Sequence, residues 1–256
     1  MARTAKPVGG GRSQEGRPPP SSAEEVQPWA PLDAALAAYA AGAADATLAM
    51  YTDVGGPEEV PVSLFFRSAS EMGPVESAAL ARAEGRVLDL GAGAGALAMV
   101  LRKRGFAVTA VELLPAGCAA MVEAGLPDVR EGGLETVGPD ERFDTVLVLM
   151  NGLGFAGTLE GLPAFLRCLA DVLSPGGRIL ADSTDPRGWD PPEDGRYPGE
   201  VHMQLRFAAT AGPPFPFLFV DADAVAAAAA TVGLRTDVVV REDGGRFLVR
   251  VVRGPV

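Results

Sequence analysis

The stretch that most constrains the fold is Arg86 to Leu97, which reads RVLDLGAGAGAL. An apolar run, Val87-Leu88-Asp89-Leu90, gives way to alternating glycines at Gly91, Gly93 and Gly95. An apolar-periodic segment then continues through Leu97, Val100 and Leu101. That order predicts a strand, a tight turn and a helix. Glycine at alternate positions lets the backbone turn sharply and leaves no Cβ between the main chain and an approaching ligand. The helix that starts inside the turn offers such a ligand the N–H groups that have no partner in a helix's first turn.

The glycine spacing alone fits two ligand classes. Gly91, Gly93 and Ala96 match the loose GxGxxG/A pattern of a nicotinamide or flavin site. Asp89 separates the two. A carboxylate near the carboxyl end of an otherwise apolar strand is costly to bury without a partner, and it repels a pyrophosphate; a cationic amino-acid group or its water shell suits it better. On these residues the chain resembles the class I S-adenosylmethionine-dependent methyltransferases, whose first motif is an acidic, glycine-alternating turn. The resemblance implies an α/β fold with a Rossmann-like, seven-stranded, mostly parallel sheet, helices on both faces and an antiparallel last strand. It implies S-adenosyl-L-methionine as the cofactor, with Asp89, Gly91, Ala92, Gly93 and Gly95 around its methionine part.

Composition narrows the partners. A hydrophobic content of 48% supports a buried core, and 256 residues suffice for one full α/β domain with additions. A net charge of −11 argues against a nucleic-acid groove, which needs a basic stripe. Cys118 and Cys168 are far apart and form neither a disulfide framework nor a metal knuckle, so a cytoplasmic location is expected. His202 is the single histidine, which removes a multi-histidine metal site. No apolar run reaches membrane-spanning length, and the polar start reads as free of a signal peptide. The expected partner is a small-molecule or peptide methyl acceptor, with neither nucleic acid nor membrane.

Along the chain, residues 1–27 read as a disordered arm rich in Gly, Pro, Ser and Arg, 28–84 as a helical cap and lead-in, and 85–256 as the methyltransferase-like domain with an insertion around 186–220. Pro31–Ala43 and Thr47–Tyr51 are expected to be helices, either folded over the cofactor or packed on the sheet edge. Pro61–Ser68 is expected to be extended, so that adjacent Phe65 and Phe66 cannot face one core and one of them lines a pocket. Arg67 is either a grip for a carboxylate of cofactor or substrate or a surface arginine. Glu112, about twenty residues past the turn, is placed to accept hydrogen bonds from ribose hydroxyls, with Leu113 and Leu114 flanking the adenine. The family's acidic residue after the third strand falls on Gly133 here. Either Glu131 substitutes, or backbone groups and apolar walls around Gly133 and Leu134 hold the adenine.

Phe143–Met150 is the clearest buried strand. Met150 to Phe155, beyond its carboxyl end, should border the transferred methyl, with Asn151 either holding the nucleophile or cofactor or simply forming the turn. The LSPGGRIL segment from Leu173 resembles the family's turn into its fifth strand, and Asp182 and Asp185 near that strand's end are candidate proton acceptors or substrate binders. Val201–Thr210 and Phe215–Val220 read as an added β-hairpin, and a helix with two final strands completes the sheet. Methyl transfer from a sulfonium is an in-line displacement in which the protein aligns the reactants and excludes water. A hydroxyl or ammonium acceptor is helped by a base; Asn151, Asp182 and His202 are the candidate catalytic residues, with Tyr51 as a further one. Two other functions compete: a nicotinamide-dependent oxidoreductase, disfavoured by Asp89 and by the lack of a paired tyrosine-lysine motif, and a non-catalytic S-adenosylmethionine-binding partner protein.

Overall fold

The computed structural model describes residues 26–190 and 192–254. The arm expected over 1–27 lies outside the described residues up to position 25. Helix α1 (Ala30–Ala40) begins with Pro31 in its first turn, where the missing N–H costs nothing. The chain then departs from the expected second helix, because Thr47–Tyr51 belongs to strand β1 (Thr47–Thr52), which turns back into β2 (Gly55–Pro61). The cause is tertiary: a second partner strand from far along the chain pairs with the other edge of β1, and such pairing overrides local propensity. Pro61–Ser68 is not extended either. Val62–Phe66 coils into a 3-10 turn, and Phe66 stacks on Tyr39 with ring centroids 4.6 Å apart.

Helix α2 (Pro74–Arg82) leads into the large sheet. Its strands are β3 (Arg86–Leu90), β4 (Ala107–Glu112), β5 (Val129–Glu131), β6 (Phe143–Val148) and β7 (Leu173–Thr184). Three strands outside this sheet follow, β8 (Glu200–Phe207), β9 (Thr210–Ala211) and β10 (Phe215–Leu218), and then its closing pair β11 (Leu234–Arg241) and β12 (Arg246–Arg253). The spatial order is β11-β12-β7-β6-β3-β4-β5. β12 runs antiparallel to both its neighbours, and the pairs from β7 through β5 are parallel. Helices α3 (Ala96–Lys103), α4 (Pro115–Glu123), α5 (Leu162–Asp171) and α6 (Ala222–Thr231) fill the crossovers.

Alternation along the strands decides which helix covers which face. Leu88, Val146 and Ile179 pack with Leu166 of α5 and Val225 of α6, while Val87, Leu147 and Leu180 pack with Ala79 of α2 and Leu101 of α3. The result is the Rossmann-like sheet of seven strands with helices on both faces. Chain order reverses at β3, which has β4 on one side and β6 on the other, so a crevice opens beyond the carboxyl ends of β3 and β6.

The expected separate hairpin is instead part of a second sheet. β8 pairs with β10 on one side and with β1 on the other, Tyr51 opposite Gln204, giving the order β10-β8-β1-β2 with β9 added to β8. Its apolar face, including Leu48, Met203, Leu205 and Phe217, packs with Leu36 of α1 and with Ala94 and Leu114 of the large unit. This places the small sheet over the crevice.

Candidate active site

Between the two sheets lies a cavity of about 350 Å³, at the small end of ligand pockets. The glycine turn lines one side of it. Gly91 and Gly93 have φ of +71° and +58°, a region closed to most side chains. A Cβ on Gly91 would come within 2.9 Å of the Phe155 ring, and one on Gly93 within 3.2 Å of the Phe65 ring. Gly95 differs. A Cβ there would meet Met121 of α4 at 2.5 Å, and Gly95 does not line the cavity. Its place in the alternating pattern is explained by helix packing, whereas Gly91, Ala92 and Gly93 do line the cavity.

Asp89 lies at the end of β3 on the cavity wall, 3% exposed, and its Oδ2 has no hydrogen-bond partner. Burial, then the nearby Glu112 charge, pushes its carboxyl up to about 7, only partly offset by a backbone hydrogen bond from Ala98. Glu112, at the end of β4, accepts from the Gly93 N–H at 2.6 Å and from the Leu114 N–H at 3.0 Å. Burial raises its pKa and those backbone donors lower it, with a net rise. Leu113, Gly132, Gly133 and Leu134 form the adjoining wall, and Glu131 is not part of the lining. At this wall the structure therefore presents backbone and apolar groups. An unpartnered carboxylate oxygen beside a turn whose Gly91 and Gly93 hold positive φ fits the cationic amino-acid end of S-adenosylmethionine.

Met150 lines the cavity, but Asn151 is turned away, its Oδ1 accepting from the Thr184 hydroxyl at 2.9 Å. Both residues have positive φ, +63° and +59°, a strain of the kind that gathers at functional sites. Five other candidates lie outside the cavity lining. Arg67 donates to Glu76 at 3.0 Å and to the Leu64 carbonyl at 2.8 Å, so its guanidinium is committed within the protein and does not line the cavity. Asp182 is fully buried and bound to Arg246, whose Nε donates to it at 2.6 Å. His202 points from the solvent side of β8, 56% exposed, with its ring beside Asp53 at 3.1 Å, because residues alternate along a strand and neighbouring Val201 and Met203 take the buried face. Tyr51 shares that outer side under the Arg206 guanidinium, and Asp185 is paired with Arg187.

The sequence gives no site role to Trp29, Leu32, Leu48, Phe165, Leu205 or Phe217, which also line the cavity, whereas Phe155 lies there as expected. Phe65 is the pocket-lining member of the Phe65-Phe66 pair. Alternation in β8 and β10 marks Leu205 and Phe217 as buried, but only the packing of the second sheet says against what.

Asp89 gives the site a pH dependence of known sign. In the ligand-free protein its raised pKa makes a stabilising contribution that is complete below the ordinary carboxylate range and lost as pH rises toward about 7. A cationic ligand needs the ionised form, so its affinity should fall about tenfold for each pH unit below 7. Calorimetry with S-adenosylmethionine across pH 5.5–8 should show this slope in the native protein, and Asp89→Asn should flatten it.

Among the described residues no helix is long and apolar enough to cross a membrane, and no group of three or more His, Cys, Asp or Glu residues could hold a metal ion. A family model described as a methyltransferase domain matches residues 70–236. An S-adenosylmethionine-dependent methyltransferase from Bacteroides fragilis, solved with S-adenosyl-L-homocysteine, is 32% identical over 88% of this chain and 95% of its own, with a TM-score of 0.80. The CcbJ methyltransferase of Streptomyces caelestis, 17% identical over 71% of this chain and 89% of its own, has a TM-score of 0.55. An S-adenosylmethionine-dependent methyltransferase from Clostridium acetobutylicum, 13% identical over 73% and 94%, also reaches 0.55. The last two share the fold. No curated protein matches the chain.

Proposed function

We infer the reaction from one premise: the chain belongs to the class I S-adenosylmethionine-dependent methyltransferase family. It is a methyltransferase whose cofactor is S-adenosyl-L-methionine, which when bound supplies a methyl group on positively charged sulfur, already activated for displacement. The proposal assigns this chain's residues to the task. Asp89 with the Gly91–Gly93 backbone holds the methionine part, Glu112 with Leu113 holds the ribose side, and Gly132 to Leu134 wall the adenine. Met150 borders the reacting carbon. Phe65 and Phe155, seated on the glycine turn, exclude water from it.

The acceptor is a small molecule or the reacting end of a peptide, because the cavity is compact and covered by the second sheet. Its way in passes Phe155 and Leu113, which line the cavity yet are 44% and 57% exposed. The free thiols Cys118 and Cys168 support a reducing, cytoplasmic setting. The observation that carries the site reading is Asp89 Oδ2, buried on the cavity wall without a partner. Calorimetry should show S-adenosylmethionine and S-adenosylhomocysteine binding and no heat from NADH; a dinucleotide bound in preference would reverse the reading. A radiolabelled-methyl screen over metabolites tests catalysis itself. Transfer to no acceptor, with cofactor bound, would favour a non-catalytic partner protein.

A further inference from the structure

The charge and walls of the cavity choose among acceptors. Of its lining residues the ionisable ones are Asp89 and Glu112, both acidic and both given to the cofactor, and the remaining wall is apolar with five aromatic rings among aliphatic side chains. Trp29, Phe155 and Phe217 form a connected ring cluster, Trp29–Phe155 with centroids 6.1 Å apart and Phe155–Phe217 6.4 Å apart, both edge to face. Ring faces carry the negative lobe of the aromatic quadrupole. Beyond the two acids the lining holds no ionisable side chain, and its rings are the surface that attracts a cation. Asp89 and Glu112 serve the cofactor, and the other candidate proton acceptors lie elsewhere: His202 and Tyr51 on the outer side of the second sheet, Asp182 on Arg246.

From this we propose, resting on the methyltransferase reading, that the acceptor is an apolar molecule bearing an uncharged amine, and that the product is an ammonium cation held against Trp29, Phe155 and Phe217. The bookkeeping of the step suits the cavity. The nitrogen lone pair forms the N–C bond as the C–S bond breaks and its electrons go to sulfur. One positive charge passes from sulfur to nitrogen, and no base is required. If the amine still carries hydrogen, the proton leaves to bulk water after release. An alcohol acceptor would need a base at the reacting oxygen. A carboxylate or phenolate would find no cationic side chain in the lining to pair with.

The test uses the full chain saturated with S-adenosylhomocysteine, so that no sulfonium is present to compete for the rings. Three probes of one shape class are compared by calorimetry: benzyltrimethylammonium, its neutral carbon isostere neopentylbenzene, and benzoate. The ammonium should bind roughly tenfold more tightly than the neutral isostere, as expected for a desolvated cation on aromatic faces, and benzoate most weakly. Phe217→Leu should remove most of that preference by weakening the cation alone. In turnover with S-adenosylmethionine, N,N-dimethylbenzylamine should be methylated faster than benzyl alcohol or benzoate. Equal affinities, failure of the cation to bind, tighter binding of benzoate, or faster methylation of the alcohol or the acid would each overturn the amine assignment. Failure of S-adenosylhomocysteine itself to bind would instead overturn the underlying methyltransferase reading, so the two failures are distinct.

Discussion

Arg246→Met should destabilise the protein by about 3–5 kcal/mol, the cost of leaving buried charges without their partner. Arg246, at the start of β12, donates to Glu76 on α2 at 2.9 Å and to Asp182 on β7 at 2.6 Å, and both acids are fully buried. Burial pushes the Glu76 carboxyl up, but Arg246 and Arg67 beside it outweigh this and hold it below the usual range. For Asp182 burial wins, and its carboxyl lies at about 6 in spite of Arg246. The same chain of contacts reaches the site at both ends. Arg67 ties Glu76 to the Leu64 carbonyl next to Phe65, and Asp182 accepts from the Gly152 N–H at 3.3 Å, two residues after Met150. The loss should therefore appear both as a lower denaturation midpoint and as weaker cofactor binding. Adding Glu76→Gln and Asp182→Asn to Arg246→Met should recover much of the stability, because neutral groups no longer need a counter-ion. A loss below about 1 kcal/mol in the single variant, the range of a surface ion pair, would show that the network contributes little.

Gly93→Val should abolish measurable cofactor binding, a loss of at least about 100-fold, or roughly 3 kcal/mol. A β-branched residue at φ +58° is a severe backbone outlier, its Cβ would press on Phe65 at 3.2 Å, and its methyl groups would occupy the cradle. Asp89→Asn provides the contrast. It keeps the shape and removes the buried charge, so the ligand-free protein should melt at higher temperature at pH 8 while cofactor affinity drops. Calorimetry and thermal melts of the two variants separate a blocked cradle from a lost charge. Native-like affinity in both would refute the site assignment.

These two sites differ in how much of them the sequence discloses. The Arg86–Leu97 unit is readable because strand, turn and helix are set by neighbours within a few residues. Asp89 and Glu112 are readable because each sits at a fixed spacing from that turn. The order of elements from β3 through β7 follows in the same way, and so does the closing helix and strand pair. Arg67 and Asp182 looked like site residues because a lone charge near a strand end implies an unmet need. Glu76 of α2 pairs with Arg67, and Arg246, remote in the chain, pairs with Asp182.

Local propensity and short-range spacing set the strand–turn–helix unit at Arg86–Leu97 and the two acids placed relative to it, while the seven-stranded sheet was legible through the family resemblance those residues carry. Long-range packing makes Thr47–Tyr51 a strand, joins the lead-in and the insertion in one sheet, and turns Leu48, Leu205 and Phe217 of that sheet toward the cavity. The physical reason is that a strand edge is satisfied by whichever partner reaches it. The partner of β1 is β8, from the other half of the chain, and no spacing within either segment encodes that meeting.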